Sequence, residues 1–321
     1  MFAVLALVVF YYVYGKTNWN QTFSSIKNAN IAWLSFAIAW LILSHIIRAI
    51  RWNMLTKPSG YSLNIRRSFY AVMIGYIVNV ATSRGGEIAR CAAASKSEKA
   101  PVDFLIGTVI TERIVDMLIM VSLCFLCLAS QYQYIWNFVD SYIISKITPL
   151  MPMPIASLLF VGAIACLIWF LKSRKTKSED EDGIIQRLIK GVRSIFTLKN
   201  PWLFIFYSVL IWVGYWMGVY GTLQALEVTE HLHFWASLST LLFSAVGIAI
   251  PLPAGAGVWA AISFGLTTVY SVPSEHAETF GIFNLAISNI LVISLGGLSA
   301  LLWWIELQKI EKENGKNSIL G

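Results

Sequence analysis

Blocks of about 20 apolar residues recur along this chain between short polar clusters, and that spacing constrains the fold more than any other feature. A helix rises about 1.5 Å per residue, so one such block crosses a hydrocarbon core of about 30 Å. Of 321 residues 57% are apolar and only 13% charged, far from the roughly one quarter charged in a water-soluble domain. The short alternating strands of a membrane barrel are absent from the pattern. The chain is therefore expected to be an all-α integral membrane protein.

The formal charge of +7 does not point to nucleic acid, because the basic residues stand beside apolar spans, where anionic headgroups and the positive-inside rule account for them. Cysteines fall at 91, 124, 127 and 166, all in or next to apolar segments. Cys124-x-x-Cys127 lies inside Leu-Ile-Met-Val-Ser-Leu-Cys-Phe-Leu-Cys-Leu-Ala and reads as small apolar packing rather than redox chemistry.

Taken in order, about six transmembrane helices are expected, at 1–14, 31–50, 104–129, 152–171, 201–224 and 281–305. The first lacks the basic n-region and small-residue cleavage site of a signal peptide. Residues 48–67 carry five basic residues and no acid, which reads as a cytoplasmic loop. The loop 130–151, with only Asp140 and Lys146, reads as external. Residues 172–200 read as a solvated cytoplasmic linker and 306–321 as a cytoplasmic tail. Parity then requires that 68–94 enter and leave on one side, as a re-entrant hairpin turning near Gly85 and Gly86. The second half, 201–305, mirrors the first, 1–171. Residues 236–272 form the second re-entrant segment, broken at Pro251, Pro253, Gly255 and Gly257, since proline removes a helix donor and glycine adds backbone freedom. Two opposed hairpins point to an inverted repeat within one membrane domain.

Charge inside the first hairpin needs a reason, since an ionisable group at mid-bilayer costs about 2.5–3.5 kcal/mol on insertion scales. Arg84, Glu87 and Arg90 are spaced to share one side of a helix, and Glu112, Arg113 and Asp116 share another helix one turn apart. These six residues are the candidate substrate-binding set, three bases and three acids. Two readings stay open. The network pins the hairpin to its neighbour, or it lines a polar groove in which an arginine meets a phosphate. The histidine pair His231 and His233 beside Glu227 and Glu230 reads as exposed surface rather than a metal site. No P-loop, HExxH or GxSxG pattern is present, so neither cofactor nor enzyme activity is expected.

Arg84-x-Gly86-Glu87-x-x-Arg90, Glu112-Arg113-x-x-Asp116 and Pro251-x-Pro253-x-Gly255-x-Gly257 together resemble, in order and spacing, the lysylphosphatidylglycerol synthase transmembrane-region family, also called flippase-like domain proteins. The resemblance implies a multi-pass inner-membrane protein with paired re-entrant helices, related to the flippase half of the multiple peptide resistance factor. The soluble synthase half of that protein has no counterpart here, and other members are linked to polyprenyl-linked sugars and hopanoids. Three positions depart from the family pattern. Thr82-Ser83 stands where a proline usually precedes the first motif, Ala254 replaces a glycine, and Ala260 replaces a polar residue.

The expected function is movement of an anionic or lipid-linked amphiphile between leaflets of the inner membrane. The expected partners are membrane lipids, an anionic phospholipid or a polyprenyl-linked headgroup, with a second copy of the chain or a biosynthetic enzyme as further candidates and no nucleic acid. The alternatives are a membrane-embedded enzyme or enzyme subunit acting on a lipid-linked substrate, and a non-transporting structural protein.

Overall fold

The computed structural model describes residues 19–82, 85–132, 134, 183–249 and 255–317. The expected spans at 1–14 and 152–171, and with them Arg84, Pro251 and Pro253, lie outside the described residues. Ten α-helices are described: α1 (Trp19–Lys27), α2 (Ile31–Thr56), α3 (Ile65–Thr82), α4 (Gly86–Glu98), α5 (Val102–Ser130), α6 (Ile184–Arg193), α7 (Pro201–Ala225), α8 (Phe234–Ala249), α9 (Ala256–Tyr270) and α10 (Ser274–Asn317). Four helices among the described residues are long and apolar enough to cross a membrane, at Ile31–Ser59, Val102–Ser130, Pro201–Ala225 and Ser274–Ile310. Their outward residues are apolar: Phe125, Trp202 and Ile290 are all exposed, as a surface solvated by lipid chains requires. The protein is an all-α membrane protein.

Helix α2 starts at Asn30, whose side-chain oxygen accepts from the Ala32 and Trp33 amides, satisfying donors that the first turn leaves free. The Asn30 amide donates to Ala225 O at 2.8 Å, which fixes the start of α2 beside the end of α7. The two helices then run antiparallel in close contact. A Cβ on Gly221 would lie 2.9 Å from Ala37 Cβ, one on Gly218 2.9 Å from Leu41, and one on Gly214 would overlap the Ser44 hydroxyl. Small residues at this spacing let backbones approach where no hydrophobic effect drives helices together.

Helices α3 and α4 form the first hairpin and α8 and α9 the second, where the sequence places its two breaks. Each closes on a glycine contact between its arms. A Cβ on Gly75 would stand 2.7 Å from the Gly86 carbonyl oxygen, and one on Gly247 2.5 Å from that of Gly257. The first turn has no proline, and side chains take over its work: Asn79 Oδ1 accepts from the Gly86 amide at 2.8 Å and Thr82 Oγ1 from the Gly85 amide at 3.1 Å. Gly255 opens α9 at φ +76°, a conformation that side chains with a Cβ resist. Helices α4, α8 and α9 have 13, 16 and 15 residues, fewer than the roughly 20 that cross a bilayer.

The described chain thus holds two units of the same order, a long helix, a hairpin and a long helix. One is built from α2 to α5, the other from α7 to α10, and their leading helices are antiparallel. Three boundaries differ from the sequence reading. Residues 48–56 belong to α2 rather than to a basic loop, because Arg48 and Arg51 find buried partners. The described part of 172–200 is not a solvated linker. Its helix α6 packs on α5, with the Cα atoms of Gly107 and Gly191 each 2.9 Å from where a Cβ on the other would stand, and Arg187 Nε is 2.7 Å from Asp103 Oδ2. Residues 306–317 continue α10 rather than forming a separate tail, and Glu306 joins Arg66 (2.8 Å) and Arg67 (3.2 Å) at the base of the first hairpin.

Candidate functional site

Arg51 is the centre of a buried ionic cluster between α2, α4, α5 and α7. It is 0% exposed, and a bare guanidinium there would be prohibitive without partners. Nη1 donates to Asp116 Oδ1 at 2.7 Å and Ser208 Oγ at 3.1 Å, and Nη2 reaches Glu112 Oε1 and Asp116 Oδ2, each at 3.3 Å. Both carboxylates come from one face of α5, as their spacing of four residues dictates.

The first hairpin enters this cluster through Arg90. Its Nη1 donates to Glu112 Oε2 at 2.7 Å, and its Cζ lies 3.7 Å from the centroid of the Trp52 ring, whose own Nε1 donates to Thr108 Oγ1 at 2.9 Å. Cation–π stacking thereby fixes the guanidinium orientation. Arg48, one turn before Arg51, places Nη2 3.3 Å from Asp116 Oδ2 and donates from Nε to Tyr215 OH at 3.3 Å. At the rim Arg113 Nε meets Glu87 Oε1 at 2.6 Å, with both side chains nearly half exposed.

A small open cleft lies against this cluster. Its charged lining is Arg48, Glu87, Arg90 and Arg113, with Tyr76 and Asn79 among its polar residues. Several buried donors have no partner within the protein: Arg48 Nη1, Arg51 Nε, and Nε and Nη2 of Arg90. Of the sequence candidates, Glu87, Arg90, Glu112, Arg113 and Asp116 come together here. Gly85 and Gly86 form the hairpin turn, whereas Gly255 and Gly257 belong to the other hairpin.

Arg48 and Arg51 are the residues that sequence reasoning missed. Within a loop, their charge reads only as a cytoplasmic topology signal. Their signal is the apolar helical pattern continuing through them in Ser44-His45-Ile46-Ile47-Arg48-Ala49-Ile50-Arg51-Trp52. Including them changes the charge balance: four arginines face three carboxylates in the described cluster, leaving one positive charge in excess. Among the described residues no group of three or more His, Cys, Asp and Glu is placed to hold a metal.

Residues 2–296 match the family described as Lysylphosphatidylglycerol synthase TM region. The chain belongs to that family. It is also similar to a curated relative, the UPF0104 membrane protein MJ1595 of Methanocaldococcus jannaschii, at 24% identity over 303 residues, which cover 90% of this chain and 89% of the relative. No solved structure matches. In this member of the lysylphosphatidylglycerol synthase TM region family, the deeply buried ion pairs among the described residues all lie in one of the two units. Glu112 and Asp116 follow Val102 by ten and fourteen positions, and Asn284 and Ser288 follow Ser274 by the same steps. The second unit thus carries a neutral counterpart, in which Thr222 Oγ1 donates to Asn284 Oδ1 at 3.1 Å. Gly221 faces Ala37 while Ser208 meets Arg51, so at 1.5 Å per residue the two polar sites stand roughly 20 Å apart along α2.

Proposed function

We propose that this protein is a transporter of the inner membrane that moves an anionic or lipid-linked amphiphile from one leaflet to the other, the headgroup passing through the cleft at the first hairpin while the tail stays in lipid. The observation that carries this reading is the excess positive charge of a buried cluster whose arginines retain unspent donors beside an open cleft. A network built only to pin helices together gains nothing from desolvated guanidinium donors without partners, since each costs about 1–3 kcal/mol or more. Two inverted units with broken helices support the same reading, because alternating access in such folds works by rocking one unit against the other. The work assigned to the cluster is binding and passage of a headgroup rather than catalysis. Glu87 and Arg113, paired at the rim and half exposed, are positioned to exchange partners as a headgroup enters.

The test is transbilayer movement of fluorescently labelled anionic phospholipids and polyprenyl phosphates in proteoliposomes holding the full chain. Movement faster than in empty liposomes, and slowed by Glu87→Gln, is expected. Movement at the empty-liposome rate with folded protein would sink the transport reading.

A further inference from the structure

We propose that the cleft at the first hairpin selects a single phosphate group bearing one net negative charge and rejects a headgroup that also carries an ammonium. This deepens the transport reading, and rests on it only in taking the cleft to meet a headgroup.

Arg90 and Arg48 carry the argument. Each is 4% exposed and each lines the cleft. Arg90 uses Nη1 on Glu112, whereas Nε and Nη2, one whole edge of its guanidinium, have no partner. That edge is itself buried beside the cleft and carries two parallel N–H groups, the fork that matches two oxygens of a phosphate. Trp52 stacked at 3.7 Å holds the fork in place before any ligand arrives, so little rotamer freedom is lost on binding. Arg48 adds one unspent donor, Nη1.

Charge decides between headgroups. Each carboxylate of the cluster is already ion-paired: Glu112 to Arg51 and Arg90, Asp116 to Arg48 and Arg51, Glu87 to Arg113. An ammonium entering the cleft faces three guanidiniums, those of Arg48, Arg90 and Arg113, and a single carboxylate, Glu87, already paired to Arg113. One phosphodiester charge, in contrast, brings the described cluster to neutrality. The counterpart in the second unit, Thr222 with Asn284, shows no ion pair among the described residues and is not expected to discriminate.

The test is binding to the detergent-solubilised full chain, followed by native mass spectrometry. The probes are dioctanoylphosphatidylglycerol, its lysyl ester, dioctanoylphosphatidylcholine, dioctanoylglycerol and inorganic phosphate. The phosphatidylglycerol is expected to bind at least about tenfold more tightly than the lysyl ester or the phosphatidylcholine, with no binding of dioctanoylglycerol. Arg90→Lys keeps a cation for Glu112 but removes the fork, and should weaken binding about tenfold or more. Asn284→Ala should leave it unchanged. Displacement by inorganic phosphate assigns recognition to the phosphate oxygens themselves, and binding that resists it while keeping charge selectivity assigns recognition to phosphate borne on a lipid; either result supports the proposal.

Equal binding of the lysyl ester or the phosphatidylcholine overturns the proposal, as does wild-type binding by a folded Arg90→Lys. If that variant does not fold, Arg48→Lys reads the second donor, and the headgroup series on the unaltered protein decides alone. Because binding is measured without transbilayer movement, selective binding with no transport sinks only the transport reading. Transport indifferent to headgroup charge sinks only this inference.

Discussion

Arg51 and Asp116 meet as a two-pronged ion pair, Nη1 to Oδ1 at 2.7 Å and Nη2 to Oδ2 at 3.3 Å, with Arg51 wholly buried. Two parallel bonds fix the relative rotation of α2 and α5 as well as their separation. Arg51 is also the residue through which α7 joins, by way of Ser208.

Removing only Arg51 leaves two buried carboxylates short of their shared partner, which typically costs about 3–5 kcal/mol. Arg51→Met is therefore expected to lower the thermal midpoint in detergent substantially, whereas Arg51→Met combined with Asp116→Leu should recover part of the loss. Equal midpoints for the single variant and the unaltered protein would show that the cluster does not hold these helices.

The rim pair behaves differently. Glu87 and Arg113 are nearly half exposed, and such pairs contribute about 0–1 kcal/mol. Glu87→Gln is expected to leave abundance and melting close to normal while slowing lipid movement in proteoliposomes. A large drop in melting temperature instead would assign Glu87 a structural role.

Backbone approach in the first hairpin leaves no room for a side chain at Gly86, where a Cβ would overlap the Gly75 carbonyl. Neither backbone can yield cheaply, so Gly86→Ala should cost about 1–3 kcal/mol by overpacking. Gly297, with nothing within 4 Å of the corresponding position, is the matched control, and Gly297→Ala should be nearly neutral. Melting curves of the two variants side by side check the contrast.

Contact between α5 and α6 rests on Gly107 and Gly191, reinforced by Thr111 Oγ1 donating to Val192 O at 2.9 Å. Gly191→Val is expected to detach α6 and speed hydrogen exchange across 184–197, leaving α2 and α7 protected. Unchanged exchange there would mean that this contact does not hold the segment.

Much of the architecture was legible because it follows from local rules. Apolar block length marked α2, α5, α7 and the core of α10, and the glycine pairs marked both hairpin turns. The spacing of Glu112 and Asp116 placed both acids on one helical face without any tertiary information. What misled was charge near a span end. Arg48 and Arg51 have the composition of a cytoplasmic loop, and only the carboxylates of α5 packed against them explain why helix continues. The helix at 184–193 was hidden for a related reason, since a short polar segment reveals no partner until Gly107 of α5 meets Gly191.

By itself, then, the sequence determined that this is a helical membrane protein with two broken segments and charge concentrated in the first, because periodicity, helix rise and the cost of burying charge are properties of each segment alone. Tertiary structure decided how that charge is spent. Arg51 spends both Nη groups on Glu112 and Asp116, Glu87 takes Arg113 at the rim, and Arg90, held against Trp52, keeps one edge free. Pairing depends on distances of a few ångströms between helices far apart in the chain, and no spacing along the chain encodes them.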